Sequence, residues 1–186
     1  MKNNNKKHSQ LAWSFVVLML AFTLSLLFGV ASEFALDKAS IWIAGIIIVI
    51  FIIVAIISDM VGVAIASAVP EPFHAMAARK VRGAKQAIKL VNNASKVASI
   101  ASDVIGDVCG ILSGAAAASI ALMIDGGSVV ANVFIGAGFS ALVASITIFG
   151  KSVFKKYAID NAEKIILVLG KVMSIFSRDN GKKSKK

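Results

Sequence analysis

The sequence predicts an all-α integral membrane protein with four transmembrane helices and two basic amphipathic juxtamembrane helices. Three observations predict it. Of the 186 residues 58% are hydrophobic and mean hydropathy is +0.83, more apolar surface than a soluble fold of this size can hide. Four apolar runs reach the ~20 residues that a helix needs to cross a bilayer. Only two prolines occur, and they sit together at Pro70 and Pro72 rather than inside a run.

Taken in order, residues 1–10 (MKNNNKKHSQ) form a polar, basic N-terminus, and Leu11 to Ala31 is the first span. A signal peptide is the competing reading, because a basic start precedes an apolar core and Gly29-Val30-Ala31 resembles a cleavage site. The run exceeds a usual signal core and further spans follow, which favours a retained helix. Residues 32–40, with Glu33, Asp37 and Lys38, read as a loop. Ile41 to Val69 is the second span, uniformly aliphatic at first and then rich in small residues around Asp59. Its length implies tilt or continuation past the bilayer. Pro70 and Pro72 stop it, since proline lacks the amide donor and disfavours helix in the residue before it.

Phe73 to Lys96 differs in kind. Apolar residues recur at helical spacing with Arg79, Lys80, Arg82, Lys85 and Lys89 among them, which predicts a surface-lying helix whose basic residues face lipid headgroups. His74 reads as an interfacial anchor rather than a ligand. Val97 to Ile124 is the third span, 125–128 a turn containing Asp125, and Val129 to Phe149 the fourth span with Gly136 and Gly138. The transmembrane domain is thus 11–150, including the juxtamembrane helix 73–96. Residues 151–178 read as a second basic amphipathic surface helix, and 179–186 as a disordered basic tail.

Net charge is +10. Nucleic-acid binding is one way to use such an excess, but the basic residues lie between or after runs of bilayer length. Of 20 Lys and Arg, only Lys38 falls in the loops 32–40 and 125–128. That asymmetry places both termini and the middle basic helix in the cytoplasm of a multi-pass protein of the cytoplasmic membrane, with lipid rather than nucleic acid as partner. The single Cys109 reads as packing.

The third span holds the chemistry. Asp103 and Asp107 are four apart and share a helix face, while Gly106, Gly110, Gly114 and Ala118 form a small-residue ridge for close approach of another helix. Asp59 adds an acid on the second span. An ionised carboxylate at the bilayer centre costs roughly 3 kcal/mol on even a mild scale, and no Lys, Arg or His lies within these apolar cores. The balancing charge is then a bound cation, a proton or contact with water. Hard oxygen ligands suit Mg²⁺ or Ca²⁺. In the bland alternative Asp59 and Asp103 sit at a wet membrane edge. No P-loop, HExxH, CxxC pair or Ser-His-Asp set occurs, so catalysis is not expected.

Several stretches resemble the transmembrane domain of the CorC/CNNM family. Ile148 to Phe176 is similar to the segment that runs Gly-Glu-x-x-Pro-Lys into a basic amphipathic helix, with Gly150 and Lys155 in register. Arg82 to Leu90 is similar to the family's juxtamembrane helix, Val104-Ile105-Gly106-Asp107 to its Ile-Gly-Asn-Asn stretch, and Ser58 to Ala64 stands in the place of its Ser-Gly-Ser-Glu-Thr-Ala motif. The likeness covers about residues 51–178, without the paired CBS domains. It implies a homodimer holding a divalent cation, Mg²⁺, at an intramembrane site, and points to Asp59, Ser58 and Asp107. Lys151 stands where the family has glutamate, Phe154 where it has proline, and Val108 and Ile111 where it has asparagines. The expected function is divalent-cation binding and transport through Asp59, Asp103 and Asp107. The alternatives are a non-transporting scaffold or regulator that recruits a partner or anionic lipid, and proton-coupled transport on the same acids.

Overall fold

The computed structural model describes the backbone of residues 2–37, 41–122 and 127–183, and the side chains of 11–32, 34, 41–121 and 127–175. Regular structure among the described residues is helical throughout. In order come α1 (Lys2–Asp37), α2 (Ile41–Ser67), α3 (Glu71–Ala78), α4 (Ala84–Asn92), α5 (Ala94–Ser99), a π-helical segment (Ile100–Gly106), α6 (Asp107–Leu122), α7 (Val129–Asp160) and α8 (Ala162–Lys183). Four stretches are long and apolar enough to cross a membrane: Leu11–Ser32, Ile41–Ser67, Ala94–Ala121 and Val129–Asp160.

The continuous rod of α5, the π-helical segment and α6 is the centre of the bundle. It packs against α2 and α7 and, more lightly, α1. Small side chains make this possible: Ala44, Ala55, Ala116, Ala117 and Ala121 are buried, with Ile48, Ile120 and Val143 filling between them. Large apolar groups point the other way, with Trp42 at 81% and Phe134 at 74% exposure. Small residues inside and large ones outside is the pattern expected where the surroundings are as apolar as the core.

A second core lies at the end of α2. Phe73 of α3, Ala87, Leu90 and Val91 of α4, Ile65 of α2 and Ile166 of α8 are packed together. These apolar residues of α3, α4 and α8 are therefore buried on each other and on α2. Sequence periodicity reveals that an apolar face exists, but not what covers it.

Element boundaries also differ from the sequence reading, each for a local reason. The expected single helix 73–96 is α3, α4 and the start of α5. It breaks where Lys80 (φ 57°) and Gly83 (φ 90°) take left-handed backbone conformations, which no α-helix accommodates. No break follows the fourth span at Gly150; α7 runs on to Asp160 and the chain turns at Asn161, whose φ and ψ are −117° and 22°. At the other end of α7 the Ser128 hydroxyl accepts from Ala131 N at 3.2 Å, capping the helix. Residues 179–183, expected in a disordered tail, continue α8. The expected loop 32–40 is helical as far as Asp37, because α1 runs unbroken from Lys2 to Asp37; residues 38–40, the turn residue Asp125 and residues 184–186 lie outside the described residues.

Gly83 and Gly170 let α4 and α8 touch backbone to backbone. A methyl group on Gly170 would fall on the Gly83 carbonyl oxygen and lie 3.1 Å from Ala87 N, and one on Gly83 would lie 2.6 Å from Lys171 N. Backbone atoms cannot rotate out of the way. Gly170→Ala is therefore expected to destabilise by about 1–3 kcal/mol, the usual cost of overpacking. Gly138→Ala, with nothing within 4 Å, is the matched control. Thermal unfolding in detergent measures both, and equal melting temperatures would place α4 and α8 farther apart than described.

Candidate functional site

The central rod carries two acids one turn apart, and each has a different partner. At Asp107 the carboxylate Oδ1 accepts from Lys151 Nζ of α7 at 2.7 Å. Asp107 opens α6, with Gly110 and Gly114 following at one-turn intervals, and this face meets α7. A methyl on Gly110 would touch Thr147 and one on Gly114 would touch Ser140, at 3.9 and 3.8 Å. Ser140 Oγ donates to the Gly114 carbonyl at 2.6 Å, crossing between the helices. Gly136 of α7 approaches the Ala118 carbonyl in the same way. The ridge predicted from the four-residue repeat is thus a helix contact from Gly110 to Ala118, whereas Gly106 faces α2 near the Ala55 carbonyl. A cavity of about 690 Å³ runs along this seam, lined by Gly110, Gly114, Ser140 and Thr147 with Asp107 and Lys151 at one end.

At Asp103 the surroundings are hydroxyls. Ser99 Oγ donates to Asp103 Oδ2 at 2.8 Å. Asp103 lies in the π-helical segment, where the Asp107 amide reaches back five residues to the Ser102 carbonyl, so the backbone is wider here than in α-helix. Ser102 projects toward α2 and its hydroxyl donates to the Asp59 carbonyl at 3.4 Å, a long hydrogen bond. Gly62 is what admits it, since a side chain there would occupy the position of Ser102 Oγ.

Ser95, Ser99, Ser102 and Asp103 line one wall of a polar groove of about 750 Å³, with Gly62 and Val63 on α2 and Trp13 and Ser14 on α1 opposite. Lys96 completes it, its Nζ 4.9 Å above the Trp13 ring, within the range of a cation–π contact. The indole N–H of Trp13 is buried with no hydrogen-bond partner, an uncommon state for a buried donor.

The three acids do not converge. Asp103 lines the groove toward α1 and α2, Asp107 lines the seam toward α7, and Asp59 lines neither, its carbonyl accepting from Ser102. Among the described residues no three His, Cys, Asp or Glu side chains form a metal-holding group. Ser58 is half-buried on α2 and lines neither cavity. Spacing alone put Asp103 and Asp107 on one face; in the structure they line different cavities and have separate partners, Ser99 one turn back and Lys151 on another helix.

Lys151 also supplies a positive charge that the sequence did not reveal for Asp107. It lies two residues past the expected end of the fourth span, and the uninterrupted α7 brings it to the carboxylate. Trp13, Lys96, Ser99 and Ser102 were likewise missed. The one available signal was the Ser99–Asp103 spacing of four residues, which permits a hydrogen bond along a helix. Arg79, Lys80, Arg82, Lys85 and Lys89 are all exposed, and none pairs with a described acid. Cys109 is buried in α6.

Comparison with protein-family models, curated proteins and solved structures gives no significant match.

Proposed function

We propose that the chain is a multi-pass protein of the cytoplasmic membrane, with both termini in the cytoplasm, that binds a divalent cation and passes it across the membrane. The observation that carries this reading is the groove at Asp103, where the oxygens of Asp103, Ser99 and Ser102 gather and the Lys96 ammonium is turned onto the Trp13 ring. A carboxylate, two hydroxyls and a π-helical turn sit together on the central rod, on a helix long and apolar enough to span. The donors are hard oxygens, which suit Mg²⁺ or Ca²⁺. One carboxylate fits Mg²⁺ in particular, because that ion keeps several of its waters and is held through one or two carboxylates rather than an all-protein cage. Asp103 supplies the charge, Ser99 and Ser102 orient it or the hydration shell, and Gly62 leaves the space. The resemblance of residues 51–178 to the CorC/CNNM transmembrane domain points to the same ion and to a homodimer.

The site is therefore centred on Asp103, while the Asp59 carbonyl accepts from Ser102 outside the groove and Asp107 is held by Lys151. In purified protein, millimolar Mg²⁺ is expected to raise the melting temperature, and Asp103→Asn to abolish that rise while keeping the side chain's shape. Asp107→Asn is expected to keep the Mg²⁺ response from a lower starting temperature. Wild-type protein indifferent to both Mg²⁺ and Ca²⁺ would end the cation reading.

A second reading, a non-transporting scaffold or regulator, draws on the Asp107–Lys151 pair. An acid neutralised within the chain needs no cation, and the ridge from Gly110 to Ala118 is used in helix packing. On that reading Asp103→Asn and Asp107→Asn leave function intact while Gly110→Leu, which wedges α6 from α7, does not.

A further inference from the structure

We infer that the turn between α3 and α4, with the outer face of α4, is a binding surface for the headgroups of anionic phospholipids, held by charge and not by insertion. The inference rests on the membrane reading but not on cation transport. From Glu71 to Lys96 the chain has six basic residues and one acid. Five of the six, Arg79, Lys80, Arg82, Lys85 and Lys89, are exposed and unpaired with any described acid, whereas the sixth, Lys96, sits over Trp13.

Two structural facts decide what such a surface meets. First, it is tied at both ends to spanning-length helices. Only three residues separate the end of α2 at Ser67 from the start of α3 at Glu71, and α5 begins at Ala94, two residues after α4 ends. The cluster is held beside the ends of two spans, where headgroup phosphates lie within reach of long side chains. A soluble acidic partner or a nucleic acid would have to displace that surface first.

Second, the apolar face of the segment is already occupied. Phe73 and Ala87 are fully buried and Leu90 and Val91 nearly so, against Ile65 and Ile166. An amphipathic helix that binds by dipping its apolar face into the bilayer needs that face free. Here the charged face is free and Val81 is the one large apolar side chain exposed between Glu71 and Lys96, too little to insert, so attraction is electrostatic and falls with salt over the Debye length. The packing against α8 thus selects charge over insertion.

The test uses the full chain reconstituted into vesicles of phosphatidylcholine with trace spin-labelled phosphatidylglycerol or phosphatidylcholine, reading the motionally restricted fraction of each label. At low salt the anionic lipid is expected to be preferred about threefold or more, a modest figure against the attraction that five cations near the surface can exert. The preference should shrink toward unity at 0.5 M NaCl. The variant Arg79→Gln/Lys80→Gln/Arg82→Gln/Lys85→Gln/Lys89→Gln, whose changes are all on exposed positions, should abolish it at every salt concentration. Should that variant misfold, the salt series on the wild type still decides: a preference indifferent to salt overturns electrostatic binding. Equal restriction of both lipids at low salt, or a preference retained in the five-fold variant, overturns the surface. Failure of the wild type to reconstitute at all overturns the membrane reading beneath it.

Discussion

Gly62→Leu is expected to give no monodisperse folded protein, and Gly62→Ala a protein that melts well below the wild type. Gly62 lies where α2 meets the π-helical segment, and its missing side chain is the space that Ser102 occupies. A methyl there would fall on Ser102 Oγ, 3.0 Å from the Ala98 carbonyl oxygen and 3.1 Å from Ser102 N. The hydroxyl can rotate away; the two backbone atoms cannot. Alanine therefore forces the helices apart by a few tenths of an ångström, at about 1–3 kcal/mol, and leucine asks for several times the displacement. Gly45→Ala, on the same helix with nothing within 4 Å, should change little.

The double variant Gly62→Ala/Ser102→Ala separates two contributions. Removing the hydroxyl relieves the tightest contact but leaves the backbone ones, so it should recover part of the lost stability and not all. It also removes an oxygen from the Asp103 groove. A full recovery of stability together with a full Mg²⁺ response would detach Ser102 from the proposed cation site. A Gly62→Leu protein that melts like the wild type would mean that α2 and the central rod do not touch here. Size-exclusion profiles and melting curves in one detergent supply both readings.

The sequence carries the architecture well because hydropathy and length are local properties. Leu11, Ile41, Val97 and Val129 each begin a predominantly apolar run, and each falls in a helix long enough to cross a bilayer. The ridge Gly110, Gly114, Ala118 was legible because a four-residue repeat of small residues makes sense only as a close helix contact. Partners were not legible. Lys151 and Asp107 are 44 residues apart, and nothing local says that α7 continues through Gly150 and brings an ammonium to that carboxylate. The widening at Ile100–Gly106 was hidden too, since no residue type enforces a π-helical turn; it arises where Gly62 lets Ser102 press against α2. The cover of the basic segment was not legible either: apolar residues at helical spacing read the same whether lipid or another helix covers them, and here α8 and α2 do.

Breaking the Asp107–Lys151 pair from either side is expected to destabilise, and the size of the loss reports what surrounds it. Lys151 is 20% exposed and Asp107 60% exposed within a single chain. Against water, removing one partner of so open a pair costs about 0–1 kcal/mol. Against hydrocarbon or a second protein surface, the charge left behind is poorly solvated and the loss rises to about 3–5 kcal/mol. On the membrane reading the larger figure is expected for Asp107→Asn, because it strands an ammonium that a half-buried site cannot hydrate. Lys151→Met leaves a carboxylate instead, and an added divalent cation can take the place of the missing ammonium. Mg²⁺ should therefore protect Lys151→Met more than it protects the wild type, and should protect Asp107→Asn only as much as the wild type, leaving the gap between them unchanged. The exchanged pair Asp107→Lys/Lys151→Asp should regain most of the stability that each single change removes, since the charges meet again across the same seam. Losses below about 1 kcal/mol in both single variants would put the pair in water at a membrane edge, and an exchanged pair no more stable than the singles would show that the two side chains do not meet.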